Sequence, residues 1–350
     1  MAPHTVHVVG SINDDLRLTV VEHAAPGQTI TATGARRELG GKGANQAVAA
    51  RRAGAAVRFV GAVGTDPAGD ELVTALEAEG IDTSGVARIE HELTGRAIVS
   101  VDSSGENLIT VVPGANGAID ADAVRASFEE VREGDIVVLQ LEVPFEITAA
   151  AARAGQERGA LVVLNSAPSD PRVLTIVDDL DLLVVNGSEL ADLLEAEAQG
   201  AAGHDAEAQV AAGHGPDPQA DTARHDAETV PADPRAAMPA DPRAAVPADP
   251  RAAAADLADR LGVRLLCTFG GDGSLLVGEG HPVEQPAHRV EVVDTTAAGD
   301  TFIGYVVASL ADDDLWSDAL ETASRAAAVA VGREGAARSV PTRAEVDALD

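Results

Sequence analysis

Short apolar runs alternate with longer Ala/Leu/Glu-rich stretches along most of this chain, and that rhythm restricts the fold more than any other feature. The β-branched runs fall at 7–9, 57–60, 136–139, 161–164, 182–185 and 265–268, and continuous runs of this kind suit strands covered on both faces. Between them, residues 44–53, 68–79, 144–158 and 256–261 carry helical spacing. The alternation predicts an α/β fold: a three-layer α/β/α sandwich with a mostly parallel central sheet, in one domain over 1–350. Two stretches break the rhythm. Residues 16–21 with 29–33, and 97–101 with 108–112, read as half-buried antiparallel strands, the second pair joined by a turn-rich connection at 102–107. They predict a small antiparallel β lid over about 16–33 and 96–112. Such a lid can close over a ligand at the carboxyl ends of the parallel strands.

One segment does not read as part of a compact fold. A ten-residue unit occurs at 196–205 and again at 206–215, and an eight-residue unit ending ADPRAA occurs three times between 230 and 253. Neither has the length or the apolar face of a solenoid repeat. With frequent Pro and few large apolar side chains, 196–253 is expected to be a disordered or loosely ordered surface insertion between two helices. His204, His214 and His225 lie in it without a fixed carboxylate or Cys partner, which argues against a metal site there.

Charge narrows the partners. Fifty-seven acidic residues against 25 basic ones give a net charge of −32, the reverse of what a nucleic acid or an anionic membrane attracts. The single cysteine, Cys267, excludes an internal disulfide framework and any Cys-rich metal site. The first ten residues lack the basic-then-apolar order of a signal peptide, and no apolar run reaches the roughly 18 residues of a membrane span. A soluble cytoplasmic protein is expected. Lys42 is the only lysine, and aromatic residues make up only 2% of the chain. Abundant acid, scarce lysine and small core side chains fit a halophilic protein, because about 1 M salt screens self-repulsion to within about 3 Å. An Arg-biased genome with an ordinary acidic surface gives the same composition.

Two clusters carry candidate chemistry. Val293, Asp294, Thr295, Thr296, Ala297, Ala298 and Gly299 precede an apolar helical run. Small residues there leave backbone N–H groups free at the positive end of a helix dipole, where an anion can bind. Asp300 at the mouth of the same turn reads in two ways. It is a general base for a hydroxyl attacking a phosphoryl group, or a first-turn acid that stabilises the helix. The second cluster, Leu39, Gly40, Gly41, Lys42, Gly43, Ala44, Asn45 and Gln46, also leads into a helix. It lacks the first Gly and the Ser/Thr of a Walker A loop. Its glycines permit close backbone approach to a ligand, and Lys42 and Asn45 can hydrogen-bond hydroxyls.

Taken together, residues 40–50 and 294–302 resemble the two signature regions of the ribokinase-type (PfkB) carbohydrate kinases. The likeness continues in family order at 10–15, 61–66, 113–116, 140–142, 164–168, 186–189, 268–273 and 339–341, and spans essentially all of the chain outside the insertion. It implies a ribokinase-like fold and ATP-dependent, direct in-line phosphorylation of the 5-hydroxyl of D-ribose. A nucleoside, fructose or keto-deoxy sugar acid is the alternative acceptor, and a non-catalytic sugar-binding homologue the alternative class. By the resemblance, Asn13, Asp15, Gly41, Lys42, Asn45 and Glu142 hold the sugar. Asp300 takes the proton, and the N–H groups of Ala297, Ala298 and Gly299 stabilise the transferred phosphoryl group. Asn186 and Glu189 lie beside ATP and Mg2+, and Thr268, Gly270 and Gly273 border the nucleotide. Asp294, Thr296, Arg333, Gly335 and Ser339 resemble the family's K+ loop. Ser324 departs from the pattern, standing where the family often has a His beside the adenine. A homodimer through the β lid is also implied.

Overall fold

The computed structural model describes residues 4–104, 106–211 and 247–349, with the backbone alone over 200–211. In chain order the strands are β1 (Thr5–Val9), β2 (Asn13–Thr19), β3 (Gly34–Gly40), β4 (Ala56–Gly64), β5 (Asp82–Ile89), β6 (Arg96–Val101) and β7 (Asn107–Val112). They continue as β8 (Ile136–Leu139), β9 (Leu161–Asn165), β10 (Leu182–Asn186), β11 (Arg264–Thr268), β12 (Ser274–Val277) and β13 (Val283–Gln285). The helices are α1 (Lys42–Ala53), α2 (Pro67–Ala78), α3 (Ala121–Ser127), α4 (Phe145–Glu157) and α5 (Gly187–Ala211), then α6 (Pro250–Leu261), α7 (Ala298–Ala311), α8 (Trp316–Val331) and α9 (Arg343–Asp347).

The main sheet runs β13-β12-β11-β10-β9-β8-β1-β4-β5 and is parallel from β11 to β5, with β12 and β13 antiparallel at one edge. Alternate residues of one strand feed opposite cores, as the period of two requires. On β8, Ile136 and Val138 reach the side of α1, α2, α7 and α8, while Val137 and Leu139 reach the side of α3 to α6. The expected three layers follow.

Scarcity of aromatics is met by close helix packing. Gly304 on α7 lies so near α1 that a Cβ there would sit 2.7 Å from the Ala50 nitrogen. This approach brings the first turn of α7 against Asn45 and Gln46. The winding direction reverses between β1 and β8, the place where an open α/β sheet leaves a crevice for ligands.

The lid is a separate sheet of order β3-β2-β6-β7, antiparallel at both outer pairs and parallel where β2 meets β6. Its second strand lies at 34–40, not at 29–33 as the apolar pattern suggested. The reason is register: Asn13 pairs with Gly40 through to Thr19 with Gly34, and the polar face is held by ion pairs that no hydropathy pattern displays. The insertion also begins later and ends sooner than expected. α5 continues through Ala211, and Asp249 caps α6 by accepting from the Ala252 N–H (3.1 Å), with Pro250 at its first position. The rest of the repeats, with His214 and His225, lies outside the described residues. Among the described residues no helix is long and apolar enough to cross a membrane.

Candidate active site

The chain leaves β1 at the crevice and turns through Ser11 into β2, whose pairing with β3 sets the Gly40–Gly41 turn beside it. Gly41 has φ 89°, and a Cβ there would lie 2.9 Å from the Ser11 carbonyl oxygen, so only glycine fits. α1 starts at once. Glu142, just beyond β8, accepts from the Lys42 N–H (2.9 Å) and from Ser11 Oγ (2.6 Å), so one carboxylate ties the two strand ends to the helix tip. Asn116 donates to Asn13 Oδ1 (2.8 Å) and to the Ile12 carbonyl (3.1 Å), which fixes Asn13 at the start of the lid. Asp14, buried, is bonded by Arg37 Nε (2.8 Å) and Arg96 Nε (3.0 Å) and serves to bind lid strands together.

Asp15 faces the other way. It is buried, and its Oδ1 has no partner among the described residues. Burial, then the charges of Glu142, Glu38, Asp14 and Asp300, push its carboxyl up to about 8. Between roughly pH 4 and 8 the folded protein therefore holds a proton that the unfolded chain has released. This contribution to stability is complete at the acid end and is lost as pH rises through 8. The free protein should melt several degrees lower at the alkaline end of that window, and Asp15→Asn should flatten this part of the pH dependence. Melting curves of both proteins across the window check it; parallel curves would refute the shift.

Asp300 occupies the first turn of α7, almost fully buried. Asn45 Nδ2 donates to its Oδ2 (2.9 Å) and Gln46 Nε2 to its Oδ1 (3.0 Å). Burial raises its pKa, while Lys42 and these two amides pull it back. Lys42 is half-buried and makes no ion pair among the described residues. Burial alone would lower its pKa, but Asp300, Glu142 and Glu189 together raise it. Asn45 Oδ1 is a second buried acceptor without a partner among the described residues. Orphan acceptors on Asp15 and Asn45 suit a ligand rich in hydroxyl donors.

At the tip of α7, Ala297 is left-handed (φ 58°) and the helix has no side-chain cap. One expected anion-binding group is corrected here. The Ala298 N–H closes the turn onto the Thr295 carbonyl (3.2 Å), because the left-handed residue before it folds the backbone back. The N–H groups of Ala297, Gly299 and Asp300 carry no hydrogen bond among the described residues. Ala297, Gly299 and Asp300 line a cavity of about 230 Å³ with Lys42, Glu189 and Thr268.

Asn186 and Glu189 do two things. Asn186 Oδ1 accepts from the Glu189 N–H (2.9 Å), and Glu189 Oε2 accepts from the Asn186 N–H (2.8 Å), a reciprocal cap on α5. Both also line the cavity, and burial foremost raises the Glu189 pKa. Gly270 (φ 57°) and Gly273 (φ 88°) shape the turn between β11 and β12, and Ser324 Oγ donates to the Pro286 carbonyl (3.2 Å). These three do not line the cavity around Asp300.

The loop expected to hold K+ is already engaged. Asp294 Oδ1 accepts from Thr296 N (3.0 Å) and Oγ1 (2.6 Å). Its Oδ2 accepts from Gly335 N (2.9 Å) and pairs with Arg17 (2.8 Å). Ser339 Oγ donates to the Ala336 carbonyl (2.8 Å), and the Arg333 side chain turns to Glu345 (2.7 Å). With a guanidinium on its carboxylate, this loop does not fit a further cation at Asp294. Among the described residues no group of three or more His, Cys, Asp and Glu is placed to hold a metal.

Sequence reasoning named neither Ser11, Gln46 and Asn116 as site residues nor Arg17 as a partner of the loop. Gln46 had a visible signal, its place beside Asn45 on the helix that meets Asp300; the others act through contacts that only the fold creates.

A sequence model described as "pfkB family carbohydrate kinase" matches residues 3–221 and 240–343. The ribokinase of Haemophilus influenzae is 31% identical over 341 residues, 97% of this chain and 96% of its own. Among solved structures, ribokinase from Thermotoga maritima superposes with a TM-score of 0.77 at 30% identity, over 99% of this chain and 98% of that one. Arabidopsis thaliana ribokinase complexed with ribose and ATP gives 0.75 at 28% identity, covering 100% and 99%.

Proposed function

The chain belongs to the pfkB family of carbohydrate kinases, and from that premise we propose that it is a ribokinase, passing the γ-phosphoryl group of ATP to the 5-hydroxyl of D-ribose. One observation carries the reading: a buried carboxylate, Asp300, stands where unbonded N–H groups of a helix tip and the half-buried Lys42 side chain line one cavity. Asp300 accepts the proton of the attacking hydroxyl, aligned by Asn45 and Gln46. The Ala297 and Gly299 N–H groups and Lys42 stabilise charge on the moving phosphoryl group. Asp15 and Asn45 accept from sugar hydroxyls with their free oxygens. Transfer is direct and in line, with Asp300 as base; Cys267, buried on β11 and pushed up to about 12 by that burial, is out of the range of a nucleophile.

Mg2+ would be held chiefly by the phosphates, with Glu189 and Asn186 reaching it through water, a role their oxygens suit. Thr268 borders the nucleotide, with Gly270, Gly273 and Ser324 further along the same side. The K+ of the family resemblance is the one cofactor whose loop argues otherwise, since Arg17 faces Asp294. The protein works in the cytoplasm as one kinase domain carrying the repeat insertion between α5 and α6. A homodimer through the lid is supported by β7, where Leu108, Ile109, Val111 and Val112 are all exposed. The net charge of −32 supports a salt-rich setting.

A coupled assay of ADP formation with ribose, deoxyribose, fructose and a nucleoside, across a series of chloride concentrations, tests the reading. Ribose should turn over fastest, and activity should fall in dilute buffer. Inert ribose beside rapid turnover of another acceptor would overturn the substrate, and full activity in dilute buffer the halophilic character.

A further inference from the structure

Lid strand β2 sends one charged side chain to the far side of the site. Arg17 Nη1 lies 2.8 Å from Asp294 Oδ2 and 3.4 Å from Thr296 Oγ1. Both partners are largely buried, with side chains 14% and 4% exposed. The same Asp294 carboxylate takes two bonds from Thr296, the residue before the left-handed Ala297. Its other oxygen takes the Gly335 N–H, so three hydrogen bonds and one guanidinium charge surround the carboxylate. A second pair repeats the connection from the next lid strand, Arg36 on β3 to Glu334 (3.4 Å). A groove of about 470 Å³ lined by Arg17, Arg36 and Glu334 runs between lid and loop.

We infer that Arg17 supplies, from within the chain, the positive charge that braces the loop before the anion turn, so that phosphoryl transfer here does not depend on a monovalent cation such as K+. Arg17 is a positioning residue. It touches neither sugar nor nucleotide, and acts through Asp294 and Thr296 on the direction of the Ala297 N–H. Because it rides on β2, which also carries Asn13 and Asp15, the sugar-holding strand and the phosphate-holding turn share one ion pair. A guanidinium suits the task, since it is weakly hydrated and carries its charge into a largely buried ion pair.

This inference rests on the kinase reading, and the experiment separates the two. Ribose-dependent ADP formation is measured at one fixed high chloride concentration, with KCl, NaCl or choline chloride as the salt, for the unaltered protein, Arg17→Met and Arg17→Lys. Melting of the free proteins is recorded in the same salts. The unaltered protein should change turnover less than about twofold among the salts, since ionic strength is constant. Its melting should not rise specifically with K+. Arg17→Met should lose about tenfold or more in turnover with little change in the ribose KM, and should regain part of the loss specifically in KCl. Arg17→Lys should keep most turnover in choline chloride. A requirement of the unaltered protein for K+ over choline overturns the inference, as does an Arg17→Met protein that turns over normally. If Arg17→Met does not fold, the unaltered protein and Arg17→Lys decide it on the same criteria. No ADP formation in any salt would refute the kinase reading itself.

Discussion

Asp300→Asn lowers turnover by roughly three orders of magnitude while ribose affinity stays within about threefold, the pattern of a lost base in an intact site. The substitution keeps size and shape. It exchanges one carboxylate oxygen for an NH2, which then faces either Asn45 Nδ2 or Gln46 Nε2, both donors. One of those bonds is lost and the neighbouring amide must turn, so a modest fall in melting temperature accompanies the change. The buried position raises the pKa of the acid, so the rate of the unaltered protein should fall toward acid pH earlier than for an exposed carboxylate. The Asn variant should lose that limb. Single-turnover kinetics with calorimetric ribose titration tests both points. Turnover within about tenfold of the unaltered protein would remove Asp300 as the base and leave it a helix-tip acid.

Lys42→Met should cost about 100-fold in turnover and move the acid limb to higher pH. Lys42 is half-buried beside the charges of Asp300, Glu142 and Glu189, and its own charge opposes the upward shift of both Asp300 and Glu189. With the charge gone, burial acts on Asp300 unopposed by any nearby ammonium. A higher pH is then needed to remove the proton from Asp300 before the base works, which sets the sign. Lys42→Arg should not restore the rate. The chain uses arginine for every other basic residue, and a planar guanidinium cannot replace a compact ammonium in a cavity of about 230 Å³ that must also admit a phosphoryl group. pH-rate profiles of the three proteins check this; an unmoved acid limb in Lys42→Met would break the electrostatic link to Asp300.

The parts of the fold that could be read from residues alone share a physical trait. Strands such as β8 and β10 are apolar on both faces, so their sequence is continuous and unmistakable. β3 is different. Gly34, Ala35, Arg36, Arg37, Glu38, Leu39 and Gly40 would be a loop by hydropathy, and become a strand because β2 offers a hydrogen-bonding edge and Asp14 a partner for Arg37. β5, β12 and β13 escaped notice for similar reasons: short or half-exposed, they take their pairing from a neighbour.

The site divides in the same way. Asp300, Asn45 and Lys42 sit in compact motifs whose small residues advertise close backbone approach, and the structure brings them together. Glu142 was read as a sugar ligand, but its bonds to Ser11 Oγ and the Lys42 N–H also make it the clasp of the Gly-rich turn. Asn186 and Glu189 were expected beside the nucleotide; they form a reciprocal cap on α5 and also line the cavity. The pair Arg17–Asp294 has no local signal, because it is made by β2 and the loop before α7, elements at opposite ends of the chain.

The last of the three eight-residue units is built into the kinase. Its Asp249 and Pro250 start α6, and its Arg251 stacks over Phe269 (4.9 Å) and donates to the Asp272 carbonyl (2.9 Å). The two preceding units spell the same ADPRAA. Loss or gain of one whole unit would therefore leave a copy abutting Ala254 with the same cap and the same arginine. The number of units can then change without disturbing how the turn between β11 and β12 is held.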